Sequence, residues 1–192
     1  MMKKRLDFQH KIKNNAWNHF RTITHHRLLV MKGCFQVGLY RQGLLHDLSK
    51  YTWTEFKTGV RYYQGDRSPN AAEKEIRGYS PAWLHHKGRN KHHFEYWIDV
   101  STREDNWRIV GVKMPVRYFV EMVMDRIAAS RTYQGRAYTD GDPYAYFSRS
   151  KDVLTMHPET KRELDKVLRM LEKKGEPYTF RYLRYLLKKG DY

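Results

Sequence analysis

A single cysteine stands among 192 residues, and long apolar runs are missing altogether. Cys34 alone excludes a disulfide within the chain and makes a reducing, cytoplasmic compartment the expectation. No stretch reaches the roughly 20 apolar residues that a membrane helix needs, so no membrane partner is expected. The basic start, Met1-Met2-Lys3-Lys4-Arg5, runs into no apolar segment of the kind a secretory signal carries. Acidic residues are also in deficit: 21 Asp and Glu face 37 Lys and Arg, a formal net charge of +16. That field points to an anionic partner, a phosphorylated small molecule or nucleic acid, or is simply a solvated positive surface. Zinc-finger, RRM and basic-zipper patterns and glycine-rich phosphate loops are absent, so charge by itself does not choose among these. Hydrophobic residues still make up 40% of the chain, enough for a core at this length, so charge and not disorder lowers its hydropathy.

What is present reads as helix after helix, an all-α pattern with no parallel-sheet signal. From Asn14 to about Gln42 an apolar stripe runs through Phe20, Ile23, Val30, Cys34 and Val37. His26 lies on that stripe, whereas His25 is rotated about 100° toward the polar side. A second short helix is expected to carry Gly43-Leu44-Leu45-His46-Asp47-Leu48-Ser49-Lys50-Tyr51. Thr52-Trp53-Thr54-Glu55 fits a capping box, opening a helix through Phe56, Val60 and Tyr63. Ser68-Pro69 and Ser80-Pro81 open two more, closed by Gly78 and Gly88. The segment 98–112 reads as a loop or a small hairpin. Pro115 starts a strong helix with Val116, Val120, Val123 and Ile127 on one face, and Asp140-Gly141-Asp142-Pro143 is a turn. Residues 158–174 form a helix ended by Gly175, and Thr179 caps a last one over 180–189.

Chemistry-bearing residues concentrate at a few points. His46-Asp47 sits among Leu44, Leu45 and Leu48, where a buried aspartate is costly unless a cation or donors compensate it. Imidazole plus carboxylate suits Zn, Mn, Fe or Ni better than Mg. Residues 85–93 read His-His-Lys-Gly-Arg-Asn-Lys-His-His, which is either a metal site folded back through Gly88 or a basic, phosphate-contacting loop. Asp125 lies one helical turn beyond Glu121. Arg181-Tyr182-Leu183-Arg184-Tyr185 interleaves aromatics with arginines, a base-stacking pattern that also fits core plus solvated face.

Taken in order, His26, His46-Asp47, His86, His92 or His93 and Asp125 resemble the H…HD…H…H…D pattern of the HD-domain superfamily of metal-dependent phosphohydrolases. More narrowly, Gly43 through Tyr51, Glu55-Phe56, Asn90 through Trp97, Glu121-Met122 and His157-Pro158-Glu159-Thr160 are similar to a family of bacterial and phage proteins described as a domain of unknown function, DUF5662. The likeness spans nearly the whole chain. It implies an HD-domain-like helical bundle over residues 1–156, with residues 157–192 a C-terminal helical hairpin packed on the same domain. It also implies that His26, His46, Asp47 and Asp125 hold one divalent transition metal (Mn, Fe, Ni or Zn). His86 and His92, with His93 beside them, would hold a second, Asp47 bridging. The spacing from His86 to His92 is shorter than the superfamily's usual third-to-fourth interval.

The expected activity is phosphohydrolysis of a nucleotide or another small phosphoester, water being activated at one or two metal ions. Asp47, Lys50 and Glu121 are the expected catalytic residues, with Glu121 orienting a ligating imidazole. Lys50, Arg89, Asn90 and Lys91 are the expected substrate contacts. Two alternatives keep different parts of this reading. An HD-type di-iron oxygenase would share the site, and a nucleotide- or nucleic-acid-binding protein without turnover would use only the positive surface.

Overall fold

The computed structural model of the chain describes residues 2–103 and 107–192, with side chains from residue 14 onward. Eight α-helices occupy the described residues: α1 (Met2–Val37), α2 (Tyr40–Leu45), α3 (Trp53–Arg61), α4 (Pro69–Arg77), α5 (Pro81–Lys87), α6 (Val116–Gln134), α7 (Asp142–Ser148) and α8 (Pro158–Lys189). The fold is all-α. The segment left open between loop and hairpin is a hairpin. Strands β1 (Ile98–Ser101) and β2 (Arg108–Gly111) pair antiparallel, with Ile98 opposite Gly111 and Ser101 opposite Arg108. Residues 104–106 at its tip lie outside the described residues.

The core forms around α6, against which α1 and α8 pack. From Phe119 to Met124 six consecutive residues of α6 are buried, so this helix is enclosed and has no single apolar face. A helix surrounded on all sides needs no polar stripe. Val30, Cys34 and Val37 of α1 meet Val120, Val123 and Ile127 of α6 and Leu164, Val167, Leu168, Leu171, Phe180, Leu183 and Leu186 of α8 in one cluster. The residues after 157 therefore share the core of the residues before it. Phe20, read onto the inner stripe of α1, is instead exposed, and His19 takes the inward position beside Ile23.

Local chemistry set most of the boundaries. The Ser80 hydroxyl accepts from the Trp83 amide at the start of α5, and Pro81 fills the first turn, where no donor is missed. His157 caps α8 in the same way, its Nδ1 accepting from the Glu159 amide. Gly175 interrupts α8 with φ 74° and ψ 175°, a conformation open in practice only to glycine. The second half begins at once with Pro177 in its first turn, earlier than a start at Thr179. Thr179 donates its hydroxyl to the Gly175 carbonyl from inside the helix. Helix α7, which follows the Asp140–Pro143 turn, was not anticipated from sequence; Phe147 anchors it in the core.

Candidate metal centre

The expected helix through Gly43–Tyr51 is two pieces with a bend between them. Helix α2 stops at Leu45, His46 is extended (φ −52°, ψ 128°), and Asp47 is left-handed (φ 53°) before a 3-10 turn over Leu48–Tyr51. Asp47 is the single non-glycine residue with positive φ among the described residues. Arg27 of α1 fastens this bend by donating to the carbonyls of Leu44 and His46. The bend turns both side chains inward: His46 is 2% exposed and Asp47 is fully buried.

The two carboxylate oxygens of Asp47 face two different groups. Oδ2 lies 3.6 Å from His26 Nε2 and 3.3 Å from His46 Nε2. Asp125 Oδ1 completes that side, 3.0 Å from His26 Nε2 and 3.6 Å from His46 Nε2. Oδ1 faces His86 Nε2 at 3.3 Å and His92 Nε2 at 3.4 Å, and His93 joins this second group. In each set of four residues the potential ligand atoms all lie within 4.8 Å of one another. Seven side chains named from the sequence thus converge on two four-membered groups that share Asp47.

Two further carboxylates fix the imidazoles from behind. Glu121 Oε1 lies 3.0 Å from His46 Nδ1 and 3.2 Å from His92 Nδ1. Glu55 Oε2 lies 2.8 Å from His86 Nδ1, and its Oε1 2.7 Å from His85 Nδ1. A carboxylate accepts the Nδ1–H, so Nε2 of His46, His86 and His92 is the nitrogen aimed at Asp47. Ser49 and Asn90 reinforce His86: Asn90 donates to the Ser49 hydroxyl and to the His86 carbonyl. Sequence analysis placed Glu55 in a capping box. The Thr52 hydroxyl instead donates to the Ser49 carbonyl, and Glu55 turns inward.

The inner atoms are unsatisfied. Nε2 of His26, His46, His86, His92 and His93 and both oxygens of Asp47 are buried without an aligned hydrogen-bond partner. Lys50 Nζ, 2.6 Å from Asp47 Oδ2, is the one full cation paired there. Asp47, Asp125, Glu55 and Glu121 against Lys50 leave three negative charges if the imidazoles are neutral. In the free protein, protons fill part of that deficit. Burial alone would push the His46 imidazole down, but Asp47, Asp125 and Glu121 hold it well above its ordinary range. His86 is raised for the same reason, Asp47 and Glu55 outweighing its burial. Burial would raise the Asp47 carboxyl, yet His46, Lys50 and His86 carry it well below the usual carboxylate range. His93 goes the other way: burial, then His92 and His86, keep it neutral. Inward-facing imidazole nitrogens around a shared carboxylate, in a pocket short of positive charge, fit a transition-metal dication that takes the place of those protons.

Not every expected contact reaches this place. Arg89 is exposed and donates to the His85 carbonyl, and Lys91 is exposed with its ammonium over the rings of Tyr96 and Tyr118. Asn90 turns its amide nitrogen onto Ser49 and His86. Near the C-terminus, Leu183 is buried while Arg184 donates to the Gln36 carbonyl and Tyr185 is exposed, the arrangement of a core helix with a solvated face.

A family model described as a family of unknown function, DUF5662, matches residues 15–170, which span the whole centre from His26 to Asp125. The chain belongs to DUF5662. No curated protein and no solved structure matches it. The matched span runs through α7 and into the first half of α8, so in this DUF5662 chain the core contacts of Leu164, Val167 and Leu168 and the carboxylate-imidazole cluster fall within one family unit. None of its described helices is long and apolar enough to cross a membrane.

Proposed function

We propose that this DUF5662 protein is a metal-dependent phosphohydrolase of the HD-domain type, acting on a nucleotide or another small phosphoester. The observation that carries the reading is Asp47: a fully buried carboxylate whose one full cation is Lys50, set between two groups of imidazoles whose inner nitrogens face it. His26, His46, Asp47 and Asp125 would hold one ion, and His86, His92 and His93 with Asp47 a second. A divalent cation there supplies Lewis acidity toward a phosphoryl oxygen and makes water nucleophilic at neutral pH.

The protein's own groups do the rest. Glu121 and Glu55 keep Nδ1 of His46, His92 and His86 protonated and Nε2 free, which fixes tautomer and ring orientation. Lys50 brings a positive charge to the rim of the centre, 25% exposed at its side chain, where an anionic substrate oxygen can reach it. The net charge of +16 draws polyanions toward the surface. The test is a phosphoester and nucleotide screen on protein supplemented with Mn, Fe, Ni or Zn, wild type beside Asp47→Ala. Hydrolysis that needs metal and disappears in the variant is expected, and undiminished hydrolysis by Asp47→Ala overturns the scheme.

A further inference from the structure

A pocket of about 40 Å³ adjoins the centre, lined by α1, the 3-10 turn that carries Lys50, α3, the start of α4 and the end of α6. It shares Lys50 and Glu55 with the centre. The remaining polar lining is His19, Thr22, Ser68, Asn70 and Tyr133; the Thr22 hydroxyl already meets the Asn18 carbonyl and the Tyr63 hydroxyl, and each of the others can donate a hydrogen bond. His19 is 5% exposed and its Nδ1 has no hydrogen-bond partner. Its ring is held hard against α3, because a β-carbon at Gly59 would overlap the imidazole. Glu55 is the one carboxylate of the lining, and its two oxygens already meet His85 and His86.

The size is informative. A pocket of this volume holds a few water-sized groups, the scale of a phosphoryl group's oxygens. The donors are also in the right state. Burial, then the charge of Lys50, pushes His19 down to about 4, so its ring is neutral and carries a single N–H. Burial raises the Tyr133 phenol above its ordinary value against the pull of Lys50, so it stays a donor.

We propose that this cavity is the subsite for a tetrahedral oxyanion, a phosphoryl group of the substrate, with Lys50 as its cation and Tyr133, Ser68 and His19 as its neutral donors. The assignment rests on the phosphoester reading above and adds to it where the phosphate is gripped. It replaces Arg89 and Lys91, whose side chains lie elsewhere, as the anion contacts.

The test is calorimetric titration of inorganic phosphate into wild-type protein, Tyr133→Phe and Ser68→Ala, with metal content and melting temperature recorded for all three. Removing one donor to a charged oxygen should weaken phosphate roughly tenfold, with metal content and melting temperature at wild-type values. Phosphate that binds both variants as tightly as wild type, or that does not bind wild type at all, overturns the subsite. The two readings fail separately. Protein that takes up no metal on reconstitution yet binds phosphate, and loses it in Tyr133→Phe, keeps the subsite and removes the metal chemistry. Metal-loaded protein whose phosphate affinity ignores both variants removes the subsite alone.

Discussion

Asp47 holds a left-handed backbone at a residue that is not glycine, which costs about 1–2 kcal/mol. An outlier of this kind, buried and surrounded by imidazoles, is where local strain accompanies function. Its neighbours make the centre sensitive to pH. The folded values of His46 and His86 are raised above the ordinary value near 6.5, so their ion pairs stabilise the metal-free protein below that pH. That contribution is lost as pH rises through the folded values. A metal needs the same nitrogens deprotonated, so binding near neutral pH expels protons. We expect the rise in melting temperature on adding Zn or Mn to grow from about pH 6 to about pH 8.5. A difference that stays constant or shrinks over that range contradicts this coupling.

Two elements supply most of the geometry. Helix α6 brings Glu121 and Asp125 one turn apart, so one carboxylate orients His46 and His92 while the next faces His26 and His46. Glu121→Gln keeps the shape and loses an anionic acceptor for two Nδ1–H groups. It should lower metal affinity about 10–100-fold, measured by competition with a chelating dye; unchanged affinity would mean that Glu121 serves packing only. At this scale much was legible in the sequence. Ser-Pro pairs, Gly78 and Gly175 marked helix ends because their backbone chemistry is local. His26 was separable from His25 because one helical step of 100° decides inward from outward. Glu55 was not legible in its actual place, since a carboxylate three residues after Thr52 is the sign of a capping box, and only the tertiary approach of α5 gives it His85 and His86. The bend at His46-Asp47 was missed for a related reason: an apolar run with an aspartate reads as helix until burial forces the carboxylate inward. Helix α7 is held by Phe147 in the core, a contact that no local pattern announces.

Across the whole molecule, α1 and the enclosed α6 share one core with α8 and carry His26, Glu121 and Asp125, so ligands far apart in sequence meet at one place. The order of histidines and aspartates along the chain, through its likeness to the HD-domain pattern, was enough to name the groups that converge, although the leucines around His46-Asp47 are exposed and mark no inner face. The cavity beside them was invisible in sequence: His19, Ser68 and Tyr133 come from three helical regions with no shared spacing. All of it turns on whether the buried carboxylate-imidazole pocket holds an ion. The most direct measurement is elemental analysis of untagged protein, wild type beside Asp47→Ala, as purified and after reconstitution. One or two ions of Mn, Fe, Ni or Zn per wild-type chain, lost in the variant, is the expected result. Wild-type protein that stays metal-free after reconstitution, or a variant that keeps its metal, contradicts the centre described.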